Sequence, residues 1–209
     1  MKLVGMFDSP YVRRVAISMR LLDLPFEHLN WSIGKDQDRV KHLNPLGQVP
    51  ILVLDDGETI VDSATILDYL DDRVGPERAL VPRSGDLRRR VMAAVTLAAG
   101  LADKARLQMY ELLFRPASLR HAPLVARLHG QMLAAATELE KLCASSTTPY
   151  LFGDQISQAD ITLACAVTYA GETVKLEAPL PALRARCATL AALPVFREIY
   201  LPFDAPVIR

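Results

Sequence analysis

The sequence predicts a mixed α/β half followed by an all-helical half. Two observations predict it: strand and helix signals alternate up to about residue 74, and strand signals then vanish from a chain that stays rich in Ala, Leu and Arg. The run KLVGMF (2–7) is apolar and short enough for a buried strand. Pro10 then stands where the first helical turn needs no N–H, and Val15, Ala16, Met19 and Leu22 recur at helical spacing until Pro25. FEHLNW (26–31) alternates as a half-buried strand does, and the charged stretch 34–44 reads as an irregular or short helix. ILVL (51–54) is a second buried strand, Asp55-Asp56-Gly57 signals a hairpin, and ETIV (58–61) is its partner. Asp62-Ser63 opens a helix carrying Ile66, Leu67, Tyr69 and Leu70. The order β-α-β-α-β-β-α predicts a four-stranded mixed sheet with helices on both faces, parallel where a helix separates two strands.

GPERALVPRSG (75–85) is rich in Gly and Pro and marks a linker, so one domain is expected at 1–75 and the second at 86–209. Segments at 86–115, 123–144, 157–170 and 181–192 are rich in the best helix formers and predict a bundle.

Composition removes several classes of function. Twenty-four basic and 24 acidic residues leave no net charge, which gives no electrostatic footprint for nucleic acid. Arg88, Arg89 and Arg90 read as a solvated helix face. The apolar stretch from Val91 to Ala102 is too short to span a bilayer, and the N-terminus lacks the pattern of a signal peptide. Cys143, Cys165 and Cys187 are odd in number and widely spaced, as expected of reduced, buried thiols in a cytoplasmic protein. His28, His42, His121 and His129 are scattered without metal-ligand spacing and read as surface or loop residues; no metal is expected.

Four motifs carry chemistry. Ser9-Pro10-Tyr11 lies at a strand-to-helix junction, where free N–H groups and the helix dipole favour an anion such as a thiolate; Ser9 also suits a plain N-cap. In Asn44-Pro45-Leu46-Gly47-Gln48-Val49-Pro50, Pro50 is a candidate cis proline, which would leave the Val49 backbone N–H and C=O to pair with a peptide ligand, or else a loop proline ahead of a strand. In Asp62-Ser63-Ala64-Thr65, the Ser63 hydroxyl and the helix N–H groups suit a carboxylate and Asp62 an ammonium group, the two ends of an amino acid; the alternative is capping by Asp62. Ser157 and Asp160 have capping-box spacing and read as a folding device.

Taken in order, S-P-Y-V-R-R-V, N-P-L-G-Q-V-P, D-S-A-T-I-L-D-Y-L and G-D-x-I-S-x-A-D resemble a cytosolic glutathione transferase over nearly the whole chain. The resemblance implies a thioredoxin-like N-terminal domain, a helical C-terminal domain and a homodimer. It implies glutathione as co-substrate and a small hydrophobic electrophile as its partner. It matches Ser9 to the thiol-activating residue, Val49 and Pro50 to the segment that pairs with the cysteinyl backbone, and Asp62 and Ser63 to the γ-glutamyl site. Asp62 stands where the family more often has Glu. Lys35 and Gln48 lie in the stretch that meets the glycyl end. Tyr11 is a second hydroxyl that could shape the pocket or activate the thiol in place of Ser9, and Arg13 is read as fixing the first helix. The electrophile pocket is expected to take Arg106, Met109, Tyr110 and Leu113 from the first C-terminal helix. The alternatives are a non-catalytic binding module, or a glutathione-dependent isomerase, peroxidase or dehalogenase on the same fold.

Overall fold

The computed structural model describes residues 1–205, so the last four residues of the range expected for the second domain lie outside the described residues. The chain forms two compact units, residues 1–83 with the segment from Pro194 onward, and residues 84–193.

In the first unit β1 (Lys2–Val4), α1 (Pro10–Leu21), β2 (Glu27–Leu29), α2 (Gln37–Leu43), β3 (Ile51–Val53), β4 (Thr59–Val61) and α3 (Ser63–Val74) follow in order. The sheet order is β2-β1-β3-β4. β1 and β2 are parallel, and β3 and β4 are antiparallel around a turn closed by Leu54 and Glu58, with Gly57 at φ 92°. β3 departs from the sequence expectation: although α2 precedes it, it runs antiparallel beside β1 rather than parallel to a neighbour. The α2 segment leaves the end of β2 and brings the chain back into the sheet at that same end, on the other side of β1. β1 is also shorter than the apolar run, ending where Gly5 takes φ 130°.

Alternation along the strands sorts the core. Val4, Ile51 and Val40 of α2 form one buried cluster, with Leu29, Trp31, Leu43, Val49, Val53 and Val61 packed on it. Leu3 and Leu52 face the other way and are buried on the side of α1 and α3, where Val15, Met19, Ile66 and Leu70 are fully covered. Each such side chain stabilises by about 1.5–3 kcal/mol.

The segment from Pro194, assigned by sequence to the helical half, packs with the first unit. The short α8 (Pro194–Glu198) meets α1, Arg20 pairs with Glu198 at 3.0 Å, and Arg13 donates to the Leu201 carbonyl at 3.0 Å. The stretch expected as a linker is held too: the Asp71 carboxylate accepts from the backbone N–H of Leu80 (2.8 Å) and Val81 (3.0 Å).

The second unit is helical. α4 (Gly85–Leu113) packs against α5 (Ala122–Ser145) and α6 (Gln158–Val174), and α7 (Pro181–Ala191) packs against α5 and α6; Ile161, Leu163, Cys165 and Ala170 of α6 are buried. The capping box opens α6, with Asp160 Oδ2 accepting from the Ser157 N–H (3.0 Å) and Oδ1 from the Leu151 N–H (2.8 Å). Glu140 of α5 caps α7 through the N–H groups of Ala182 (3.0 Å) and Leu183 (2.7 Å). None of the three cysteines forms a disulfide, and burial pushes the thiols of Cys143 and Cys187 up to about 11 and about 12, so neither is a nucleophile at neutral pH.

Glu111 joins α4 to α5. Its carboxylate accepts from the His121 N–H (2.9 Å) and from Arg115 (2.8 Å), and these bonds hold it below the usual carboxylate range. A depressed folded value contributes stability above the unfolded value, about pH 4.5, that is lost as pH falls through the folded one. Thermal unfolding of Glu111→Gln is therefore expected at a lower temperature than wild type at pH 7, with the gap closing under acid.

Candidate active site

Strand register brings the motif segments to one edge of the sheet. Val4 ends β1 opposite Leu29, which ends β2, and opposite Ile51, which begins β3. Ile51 in turn faces Val61, the end of β4. The loop carrying Ser9, the stretch carrying Lys35, the segment 44–50 and the Asp62-Ser63 turn therefore all leave or enter the sheet on this side. Gly5 lets them close up, because a Cβ there would lie 2.5 Å from Val12 Cγ2 and 2.9 Å from Val49 Cβ.

Ser9 is the N-cap of α1, and its Oγ accepts from the Val12 N–H at 3.5 Å. That is long for a cap. Its hydroxyl hydrogen has no acceptor among the described residues. Pro10 fills the first helical position, and the dipole of α1 adds positive potential.

The Val49–Pro50 bond is cis. The Val49 backbone N–H and C=O make no hydrogen bond among the described residues, whereas the neighbouring Gln48 carbonyl is taken by Asn44 Nδ2 at 2.8 Å. Gln48 and Lys35 have exposed side chains.

Asp62 caps α3 through the Ala64 N–H (2.7 Å), as one sequence alternative had it, and does so at φ 69°, a strained conformation for a residue with a Cβ. Ser63 is buried, and its Oγ accepts from Arg14 Nε (3.1 Å) and Nη2 (2.7 Å). Arg14 falls within the S-P-Y-V-R-R-V motif but no role follows for it from the sequence, because a charged residue in a helix reads as solvent-facing.

Three more groups shape this edge. His28, read there as a surface or loop residue, sits on β2, partly buried. It donates from Nε2 to the Gly5 carbonyl at 2.7 Å and stacks flat on Phe7 at 3.8 Å. Arg13, read from the sequence as fixing the first helix, binds the Phe7 carbonyl at 2.9 Å and lies over the Tyr200 ring, so it fixes the Ser9 loop from the helix side. Asp8 is buried beside Ser9, with the Asp204 N–H 3.4 Å from Oδ2.

In the helical unit Arg106 lies over the Tyr110 ring at 5.6 Å and pairs with Asp103. Met109 is buried in that unit and Leu113 is half exposed. Tyr11 is partly covered at the start of α1. Among the described residues no group of three or more His, Cys, Asp or Glu is arranged to hold a metal ion, and no helix is long and apolar enough to cross a membrane.

This fold matches that of known proteins. The model of the glutathione S-transferase N-terminal domain matches residues 3–78, and that of the C-terminal domain matches residues 122–193. The chain belongs to the glutathione S-transferase family. Among its relatives in that family, an uncharacterized GST-like protein of Escherichia coli (strain K12), YibF, is 33% identical over 81% of each chain. A maleylpyruvate isomerase of Ralstonia sp. is 29% identical over 95% of each. The structure of a glutathione S-transferase from Methylobacterium radiotolerans, solved with glutathione sulfonate, superposes with a TM-score of 0.91 at 25% identity, covering 100% of this chain and 98% of that one.

Burial pushes the Asp8 carboxyl up from its ordinary value, against the N–H groups of Asp204 and Ser9 and the Arg13 charge, which draw it down. A raised folded value means the folded state holds the proton more tightly, so stability falls as pH rises from about 4 through the folded value. Asp8→Asn is expected to melt above wild type at neutral pH, with the advantage gone below about pH 4.

Proposed function

We propose that this transferase-family chain binds glutathione along the shared sheet edge and activates its thiol for attack on a small hydrophobic electrophile. The observation that carries the reading is the unpaired backbone of Val49. A partly buried N–H and C=O without partners are costly unless something pairs with them, and a peptide backbone laid alongside supplies both an acceptor and a donor. Glutathione is such a peptide, and the groups flanking Val49 suit its two ends. The Asp62 carboxylate suits the γ-glutamyl ammonium, and Ser63 with the first turn of α3 suits the carboxylate on the same carbon. Lys35, with Gln48 beside it, suits the glycyl carboxylate.

In this reading the cysteinyl sulfur lies at Ser9. A free thiol titrates near pH 8.5, so only a few per cent is thiolate at neutral pH. The unused hydroxyl hydrogen of Ser9 donates to the thiolate and stabilises that form alone. A hydrogen bond to a charged group contributes about 1.5–3 kcal/mol, or about one to two pKa units. The thiol proton goes to solvent. The sulfur lone pair then forms the C–S bond while a leaving group departs with its electron pair.

A second reading is supported by the maleylpyruvate isomerase relative. The same thiolate adds to an activated C=C bond, the resulting single bond rotates, and the thiolate is expelled, regenerating glutathione. Product analysis separates the two: transfer consumes one glutathione per turnover, isomerisation none.

Ser9→Ala is expected to lower kcat about ten- to hundredfold while the Kd for glutathione stays close to wild type. Wild-type turnover in that variant would remove Ser9 from the reaction. Ser63→Ala is expected to do the reverse, weakening glutathione binding by about tenfold, measured by calorimetry.

A further inference from the structure

Arg14 is a full charge on the inner face of α1, 5% exposed, and it directs two N–H groups at one oxygen, Ser63 Oγ, itself 1% exposed. A serine hydroxyl has two acceptor lone pairs and one hydrogen to donate. Arg14 Nε at 3.1 Å and Nη2 at 2.7 Å occupy both lone pairs. Only donation is left to the hydroxyl, and its hydrogen has no acceptor among the described residues. Nor is Ser63 needed to cap α3, since Asp62 already accepts from the Ala64 N–H at 2.7 Å.

We propose that Arg14 is a positioning residue for a ligand carboxylate. By filling the acceptor sites of Ser63 it fixes that hydroxyl as a donor, and the permanent guanidinium charge behind it polarises the O–H bond toward an anion. A lone serine could present either a lone pair or a hydrogen; a serine backed by Arg14 selects against neutral donors and for carboxylates. The proposal rests on the glutathione reading above, in which the acceptor is the α-carboxylate of the γ-glutamyl group.

The test compares glutathione with 4-aminobutyryl-cysteinyl-glycine, which is glutathione without that carboxylate. Calorimetric Kd values are measured for both ligands on wild type, Arg14→Lys and Ser63→Ala. Wild type is expected to prefer glutathione on the order of tenfold to hundredfold. Arg14→Lys is expected to lose most of that preference by weakening glutathione while leaving the truncated peptide unchanged. An Arg14 that only braces α1 against α3 would weaken both ligands alike, and that result overturns the proposal. Equal affinity of wild type for the two ligands overturns it as well, with glutathione binding itself intact. Binding of neither ligand to wild type overturns the glutathione reading and the proposal together. Should Arg14→Lys not fold, Ser63→Ala with Arg14 in place is decisive: the preference must collapse there, and its survival contradicts the account.

Discussion

A methyl group on residue 5 would lie 2.5 Å from Val12 and 2.9 Å from Val49, closer than carbon atoms can sit. That close approach is the constraint on which the site depends. It lets the first turn of α1 and the segment before Pro50 meet over the end of β1, so that a helix N-terminus, an unpaired backbone stretch and the start of α3 share one edge. Gly5 also takes φ 130°, which ends β1 early and turns the chain toward Ser9. The loop so formed is then fixed on two sides, by His28 through the Gly5 carbonyl and the Phe7 ring, and by Arg13 through the Phe7 carbonyl. Ser9 is thus held by groups that do no chemistry, which leaves its own hydroxyl hydrogen free for a ligand.

The segment after Pro194 contributes to the same fixation. Arg13 reaches from α1 to the Leu201 carbonyl and the Tyr200 ring, and the Asp204 N–H approaches Asp8. These contacts tie the end of the described chain to the loop preceding α1. The helical unit is stabilised separately, by burial of α6 and by carboxylates placed at helix starts: Asp160 on α6, and Glu140 on α7.

Much of the fold was legible in the sequence because it is written locally. Helical spacing from Val15, the Asp-Asp-Gly turn and the Ser157–Asp160 box each specify their element within a few residues, and each element formed. Strand direction was not legible in the same way. Whether β3 lies parallel or antiparallel to its neighbour depends on which end of the sheet the chain re-enters after α2, and here it re-enters at the end where β2 finished, with Val40 of α2 packed on Val4 and Ile51. The cis bond at Pro50 was legible as one of two readings, as was the capping by Ser9 and Asp62. Arg14, Asp8 and His28 were not, because a charged or polar residue becomes part of a site only through partners distant in the chain. Arg14 meets a residue 49 positions away, and His28 one 23 positions away. No local pattern distinguishes them from solvent-facing residues.

The central claim is that this edge binds glutathione and ionises its thiol. The most direct measurement is titration of the protein with glutathione at pH 7, followed by ultraviolet difference absorbance of the thiolate and by heat. The account predicts saturable binding with a thiolate signal of up to about one per chain, lost in Ser9→Ala while binding persists. Saturable binding without that signal would contradict the role given to Ser9. The absence of binding at millimolar glutathione would contradict the claim altogether.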